Sequence, residues 1–204
     1  MGALYCALVH HPVRDRAGAT VTTAVTSVDV HDIARSARTF GLRGYYVVTP
    51  IEAQHLVVHR ILDHWNTGAG GVRVPERREA LSLCEPVKSI EEACSRVATR
   101  EGRLPRMLAT AARTFGAGSR PVRSFVDASA ALRSEEAPTL LLFGTGHGLA
   151  DAVLDAADAL LEPIAGIDGY NHLSVRAAAA IILSRLVSPA GRHPMGLRIR
   201  HEST

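Results

Sequence analysis

Leu140-Leu141-Leu142-Phe143-Gly144-Thr145-Gly146-His147-Gly148 sets an unbroken apolar run directly before a loop with three glycines. Four bulky apolar residues ending in such a loop read as a strand covered on both faces, followed by a turn into a helix. A second glycine-bearing stretch, Pro163-Ile164-Ala165-Gly166-Ile167-Asp168-Gly169-Tyr170-Asn171-His172-Leu173-Ser174-Val175, follows one helix and one strand later. Glycines let backbone N–H and C=O groups come close to a ligand, so the two loops read as a preformed cradle for a small cofactor.

Outward from this pair, strand-like and helix-like segments alternate. Leu4 to His10 is an apolar run, and a polar loop from Arg14 to Ala19 leads to the Thr/Val-rich stretch Thr20 to Val25. Asp29 or Ser27 caps a helix that ends before Gly41, and Gly44 to Thr49 reads as a strand. Pro50 opens a helix from Ile51 to about Trp65. The cluster Gly68, Gly70 and Gly71 begins an irregular arm that runs to Glu79.

Strands are expected at Leu81 to Pro86, Arg106 to Ala112, Leu140 to Phe143 and Ala159 to Ile164. Helices are expected after Ser89, before Ser134 in a loop-and-helix stretch from Ser119, from Leu149 to Ala157, and from Leu173 to Leu186. This alternation predicts an α/β fold with a mainly parallel sheet and helices on both faces. With no internal repeat and no clear linker, residues 1–204 are expected to form one domain.

The composition, 47% hydrophobic and 21% charged over 204 residues, is that of a globular protein. No apolar run is long enough for a membrane span and no cleavable leader is evident, so a cytoplasmic protein without a membrane partner is expected. Cys6, Cys84 and Cys94 lack CxxC spacing and read as buried, reduced thiols. His55, His59 and Asp63 share a helix face but lack an HExxH pattern, so no metal site is expected.

Net charge is only +3, yet Arg96, Arg100, Arg103, Arg106, Arg113, Arg120 and Arg123 face a single acid, Glu101, over 28 residues. Guanidinium groups grip phosphates, which makes the segment a candidate RNA face. The bland alternative is a general arginine bias, since Lys88 is the only lysine. The last helix carries Ala177-Ala178-Ala179-Ala180-Ile181-Ile182-Leu183, apolar all round. Such a helix is buried on more than one side, by core packing or by self-association.

Three segments together resemble the SPOUT class of RNA methyltransferases. Asp29-Val30-His31-Asp32-Ile33-Ala34-Arg35-Ser36-Ala37-Arg38-Thr39-Phe40-Gly41 resembles its first motif, and Leu141 to Leu149 its second. Leu161-Glu162-Pro163-Ile164 through Asn171-His172-Leu173-Ser174-Val175-Arg176-Ala177-Ala178 resembles the third. Within the class, the match is to a bacterial branch similar to tRNA guanine-N1 methyltransferases in its C-terminal part.

The resemblance implies a C-terminal deep trefoil knot, about residues 139–188, against the general rule that chains avoid knots. It also implies a homodimer, S-adenosylmethionine as cofactor, and tRNA or rRNA as partner. By the same resemblance, Gly144, Thr145, Gly146, Ile164, Gly166, Gly169 and Leu173 hold the cofactor, while Asn171 and Ser174 organise its loop. Asp29 stands where the class usually has asparagine, and His147 where many members have glutamate. The acceptor atom, a base nitrogen or a ribose oxygen, is therefore not carried across.

Methyl transfer from a sulfonium is an in-line displacement that depends on alignment and on handling the acceptor's proton. Asp168 is the first candidate base, with a loop-capping carboxylate as its structural alternative. Arg35 is the candidate for fixing a phosphate or stabilising developing charge, and Asp29 and His147 stand in reserve. A SPOUT-fold protein that binds cofactor or RNA without transferring a methyl group is the second reading. A nucleotide-binding protein outside the class is disfavoured, because the 144–148 loop lacks GxGxxG spacing and a P-loop lysine.

Overall fold

The computed structural model describes residues 2–113 and 120–187. Ser119, where the expected loop before Ser134 begins, and residues 188–204 lie outside the described residues. In chain order the first half comprises β1 (Leu4–Val9), β2 (Val13–Arg14), β3 (Thr20–Val21), α1 (Ser27–Thr39), β4 (Gly44–Val48), α2 (Glu52–Asn66), α3 (Ala69–Arg73), α4 (Pro75–Leu81) and β5 (Cys84–Val87). The second half comprises α5 (Ile90–Glu101), β6 (Arg106–Ala109), β7 (Val122–Arg123), α6 (Phe125–Ser134), β8 (Thr139–Gly144), α7 (Asp151–Ala156), β9 (Ala159–Leu161) and α8 (Val175–Val187).

Seven strands form one sheet in the order β5-β4-β1-β8-β6-β9-β7, every neighbouring pair parallel. β2 and β3 form a separate antiparallel hairpin. The α/β reading from alternation is met: Leu4, Cys6 and Leu8 of β1 face one apolar layer, and Tyr5, Ala7 and Val9 the other. The first layer is closed by α1, α2, α4, α6 and α8. α5 and α7 close the second.

Several local expectations are corrected. The cap of α1 is Thr26, whose hydroxyl accepts from the Asp29 N–H, because the extended chain leaving the hairpin reaches one residue short of Ser27. Asp29 is three residues inside and accepts from the Thr26 hydroxyl at 2.6 Å. Only Thr20 and Val21 of the expected strand pair, after which the Thr22 hydroxyl and Thr23 N–H turn to His11 and His10. β6 stops at Ala109 and β9 at Leu161, before Pro163, which has no N–H for a ladder.

The stretch 68–79, expected to be irregular, is instead the two short helices α3 and α4. Pro75 occupies the first turn of α4, where its missing N–H costs nothing. Gly71 packs so tightly that a Cβ would stand 2.0 Å from the Trp65 carbonyl oxygen. α8 buries Ala179, Ile182, Leu183 and Leu186, while Ala177, Ala180, Ile181 and Ser184 on its other side stay half-buried.

Cys6 and Cys84 are buried free thiols, whereas Cys94 is only partly covered. Among the described residues no helix is long and apolar enough to cross a membrane.

Candidate functional site

The sheet order reverses between β1 and β8, and ligands of open α/β sheets bind outside the strands' carboxyl ends at such a point. There the structure opens a cleft of about 780 Å³. Its lining comes from Thr23 and Ala24 before α1, Asp29 on α1, Thr110–Arg113 after β6, Phe143–Leu149 at the end of β8, Ile164 after β9, and Asn171–Arg176 entering α8. Leu154, Ala178 and Ile182 add to its apolar walls.

The 144–148 loop is fastened by the chain itself. Gly148 N–H donates to the Thr145 carbonyl, His147 N–H to the Arg14 carbonyl, and Arg14 N–H to the Gly148 carbonyl. Thr145 donates both its N–H and its hydroxyl to the Val9 carbonyl. A Cβ on Gly144 would lie 2.4 Å from the Leu149 nitrogen, so this glycine serves close backbone packing. The Gly146 N–H has no backbone partner among the described residues.

The second loop folds back in the same way. A Cβ on Gly166 would stand 1.7 Å from the Tyr170 carbonyl oxygen. The Asn171 side-chain amide donates to the Ala112 carbonyl at 2.6 Å, joining this loop to the segment after β6. Ser174 accepts from the N–H of Ala177 and starts α8. Asp168 sits in the 3-10 turn Ile167–Gly169 at φ 55° and ψ 30°, a left-handed position that aspartate tolerates better than most residues.

Seven of the nine expected cofactor residues therefore line one cleft: Gly144, Thr145, Gly146, Ile164, Asn171, Leu173 and Ser174. Gly166 does not line it. Of the four catalytic candidates, Asp29 and the reserve His147 line it, and the Asp29 carboxylate is held by Arg176 at 3.0 Å and by the Thr26 hydroxyl. Arg176 also reaches Asp32 at 3.5 Å, so α1 and α8 are clamped together at the cleft's edge. Arg35 is exposed on α1 and 4.0 Å from Asp32, lining a shallower groove with Phe40, Ala177 and Ala180 rather than the cleft. Asp168 is exposed outside the cleft lining.

The arginine-rich segment does not converge. Arg96 and Arg100 pair with Glu85 on β5 at one edge of the sheet, and Arg106 and Arg123 pair with Glu135 in the opposite half. Arg113 alone of the seven lines the cleft, sharing Asp151 with Arg14. His55 is buried against the Thr49 carbonyl at 2.6 Å.

Sequence reading missed Thr23 and Thr110–Ala112, and marked Arg113 only as part of a candidate RNA face. Thr23 arrives through the hairpin, which no local pattern announces. Thr110–Ala112 were absorbed into an overlong strand, although the rule that ligands gather at strand C-termini could have marked them.

The fold is similar to that of TrmJ from Z. mobilis ZM4, with TM-score 0.61 and 19% identity over 93% of this chain and 69% of that one. It is also similar to the SpoU methyltransferase AviRb from Streptomyces viridochromogenes, solved in complex with the cofactor AdoMet, with TM-score 0.52 and 19% identity over 91% and 57% of the two chains. This architecture is that of the SPOUT class. Residues 3–188 match the family described as SAM-dependent RNA methyltransferase, and the chain belongs to that family.

A curated relative from Oleidesulfovibrio alaskensis, named tRNA (guanine-N(1)-)-methyltransferase, is 48% identical over 188 residues. The match covers 92% of this chain but only 42% of that relative's length.

Proposed function

We propose that this chain transfers a methyl group from S-adenosylmethionine to a tRNA or rRNA nucleotide, with the cofactor held in the switch-point cleft. The observation that carries this reading is the convergence of the three motif segments on one cleft of cofactor size. Its walls suit the ligand chemically. Phe143, Leu149, Leu154, Ile164 and Ile182 offer an apolar bed for a purine, and the loop backbone offers polar groups for a ribose and an amino-acid tail. The residues that would hold it are Gly144, Thr145, Gly146, Ile164, Asn171, Leu173 and Ser174, with Gly166 and Gly169 shaping the second loop.

When bound, S-adenosylmethionine supplies an electrophilic methyl on a sulfonium. The loops hold it in line with the acceptor, and that alignment provides much of the rate. Arg35 and Asp168 lie outside the cleft of their own chain, so their proposed roles, holding a phosphate and accepting the acceptor's proton, require a second copy. A homodimer across α1 and α8 meets that need: the half-buried Ala177, Ala180 and Ile181 adjoin the Arg35 groove and leave room for close helix approach.

The Asn171–Ala112 contact, which binds the loop after β9 to the segment after β6, supports the knotted path over about residues 139–188 within a single domain 1–204. The relative's name supports tRNA as the substrate class, although more than half of that relative has no counterpart in this chain. A cytoplasmic location follows from such a substrate.

Calorimetry with S-adenosylmethionine, ATP and NAD tests the cleft: only the first is expected to bind. Mass spectrometry of RNA nucleosides from a deletion strain tests the transfer, with loss of one methylated nucleoside expected. The second reading, binding without transfer, is favoured by the placement of Arg35 and Asp168 outside the single chain's cleft and by the pairing of Asp29 with Arg176, which leave His147 as the one unpaired candidate in its lining among the described residues. Cofactor binding with an unchanged nucleoside profile would establish it.

A further inference from the structure

His10, at the end of β1, is fully buried and lies behind the cleft wall. Its Nδ1 is 3.0 Å from the Thr23 hydroxyl, which makes a short hydrogen bond to the Thr145 hydroxyl. The Thr145 hydroxyl in turn meets the Val9 carbonyl at 3.0 Å. Each hydroxyl has one proton, and a carbonyl can only accept. With the Thr145 proton on Val9, Thr23 donates to Thr145 and His10 Nδ1 donates to Thr23; the reverse order would put the ring proton on Nε2, burying an N–H donor without an acceptor. The first order leaves Nε2 as a bare lone pair, and Nε2 is buried without a hydrogen-bond partner among the described residues.

Thr23 and Thr145 both line the cleft, one from the segment before α1 and the other from the first glycine loop. The backbone reinforces the link, since Thr23 N–H donates to the His10 carbonyl at 2.9 Å and His10 N–H to Val48 at 2.9 Å. Two loops far apart in sequence are thus held in register by one imidazole.

We propose that His10 is a positioning residue for cofactor binding: as the neutral Nδ1–H tautomer it fixes the direction of the Thr23–Thr145–Val9 hydrogen-bond chain and with it the placement of the 144–148 loop. This inference rests on the assignment of the cofactor to the cleft. Burial supports the neutral ring, pushing its pKa down to about 4 against a smaller upward pull from Asp29. His10→Asn keeps a donor near the Nδ1 position, whereas His10→Leu keeps bulk and removes the donor.

Calorimetry on the full chain is expected to show His10→Leu binding S-adenosylmethionine about tenfold or more weakly, as loss of one buried hydrogen bond implies. His10→Asn is expected to recover most of that affinity, and Thr23→Val to reproduce the loss without adding to it in the double variant. Thermal melts separate this pattern from simple loss of fold. Equal affinity in His10→Leu and wild type, or an Asn variant no better than Leu, overturns the proposal.

Long-range proton–nitrogen correlation spectra of the ligand-free protein supply a readout independent of the cofactor. Nδ1 is expected to carry the ring proton, and a proton on Nε2 instead would refute the chain's direction. If the wild type fails to bind S-adenosylmethionine while this tautomer is seen, it is the cleft assignment that fails.

Discussion

At Gly144 the missing side chain is required by the protein's own backbone before any ligand arrives. A Cβ there would meet the Leu149 nitrogen at 2.4 Å and the Gly148 carbonyl carbon at 2.7 Å, and neither can swing aside as a side chain could. Gly144→Ala is expected to destabilise the fold by roughly 1–3 kcal/mol, the usual cost of overpacking, and to weaken S-adenosylmethionine binding by displacing the loop. Denaturation and calorimetry check both, and an alanine variant with wild-type stability would contradict the contact. His10 gives a second test at this scale, through pH. Its pKa in the folded chain is about 4, below the ordinary 6.5 of an unfolded histidine. Between those values the unfolded chain binds a proton that the native ring refuses, so stability is complete above about pH 6.5 and declines as pH falls toward 4. Urea denaturation at pH 7 and pH 5 is expected to show a larger loss for wild type than for His10→Asn. Equal losses would mean that the ring is not held neutral.

Among the elements, legibility in the sequence followed burial on both faces. β1, β4 and β8 are continuous apolar runs whose residues all lie inside, apart from partly covered Gly144, and their pattern alone announced them. β7, two residues long, has no pattern to read, whereas β9 was expected from Ala159 but stops at Leu161, before Pro163. α3 and α4 were misread because Gly70, Gly71 and Pro75 signal a break locally, whereas in the fold the glycines allow close packing on α2 and the proline starts a helix. The seven cofactor candidates that share the cleft were legible because motif order carries them. Thr23 and Thr110–Ala112 were not, because only the sheet order brings them there. α8 lies between these cases: its apolar character was plain, but the structure shows that one side covers the core while Ala177, Ala180 and Ile181 remain half-buried. Ala180→Arg is expected to shift sedimentation from dimer to monomer at micromolar concentration, because a long charged side chain prevents close approach of small-residue helix faces. A variant that sediments as the wild type would remove α8 from the interface.

On the scale of the whole molecule, the decisive fact is separation: the cleft of a chain holds the cofactor candidates, and Arg35 stands outside it on α1. If Arg35 acts in transfer, it acts in a neighbouring copy's cleft, and a two-fold dimer would supply one such arginine to each of two sites. Such an arrangement would make activity a property of pairs. A chain carrying Arg35→Ala keeps an intact cleft but cannot serve its neighbour. A chain carrying Gly144→Val keeps Arg35 but has a spoiled cleft. Each variant alone is expected to be inactive in methyl transfer to bulk RNA, measured with methyl-labelled S-adenosylmethionine. When equal amounts are mixed and allowed to exchange subunits, half of the dimers are mixed, and each mixed dimer has one complete site out of two. Activity is then expected to return to about a quarter of the wild-type level. Exchange can be verified separately by tagging one variant and recovering the other with it. If mixed dimers form and no activity returns, Arg35 does not act across the interface. If Arg35→Ala alone retains wild-type turnover, the residue has no part in the chemistry.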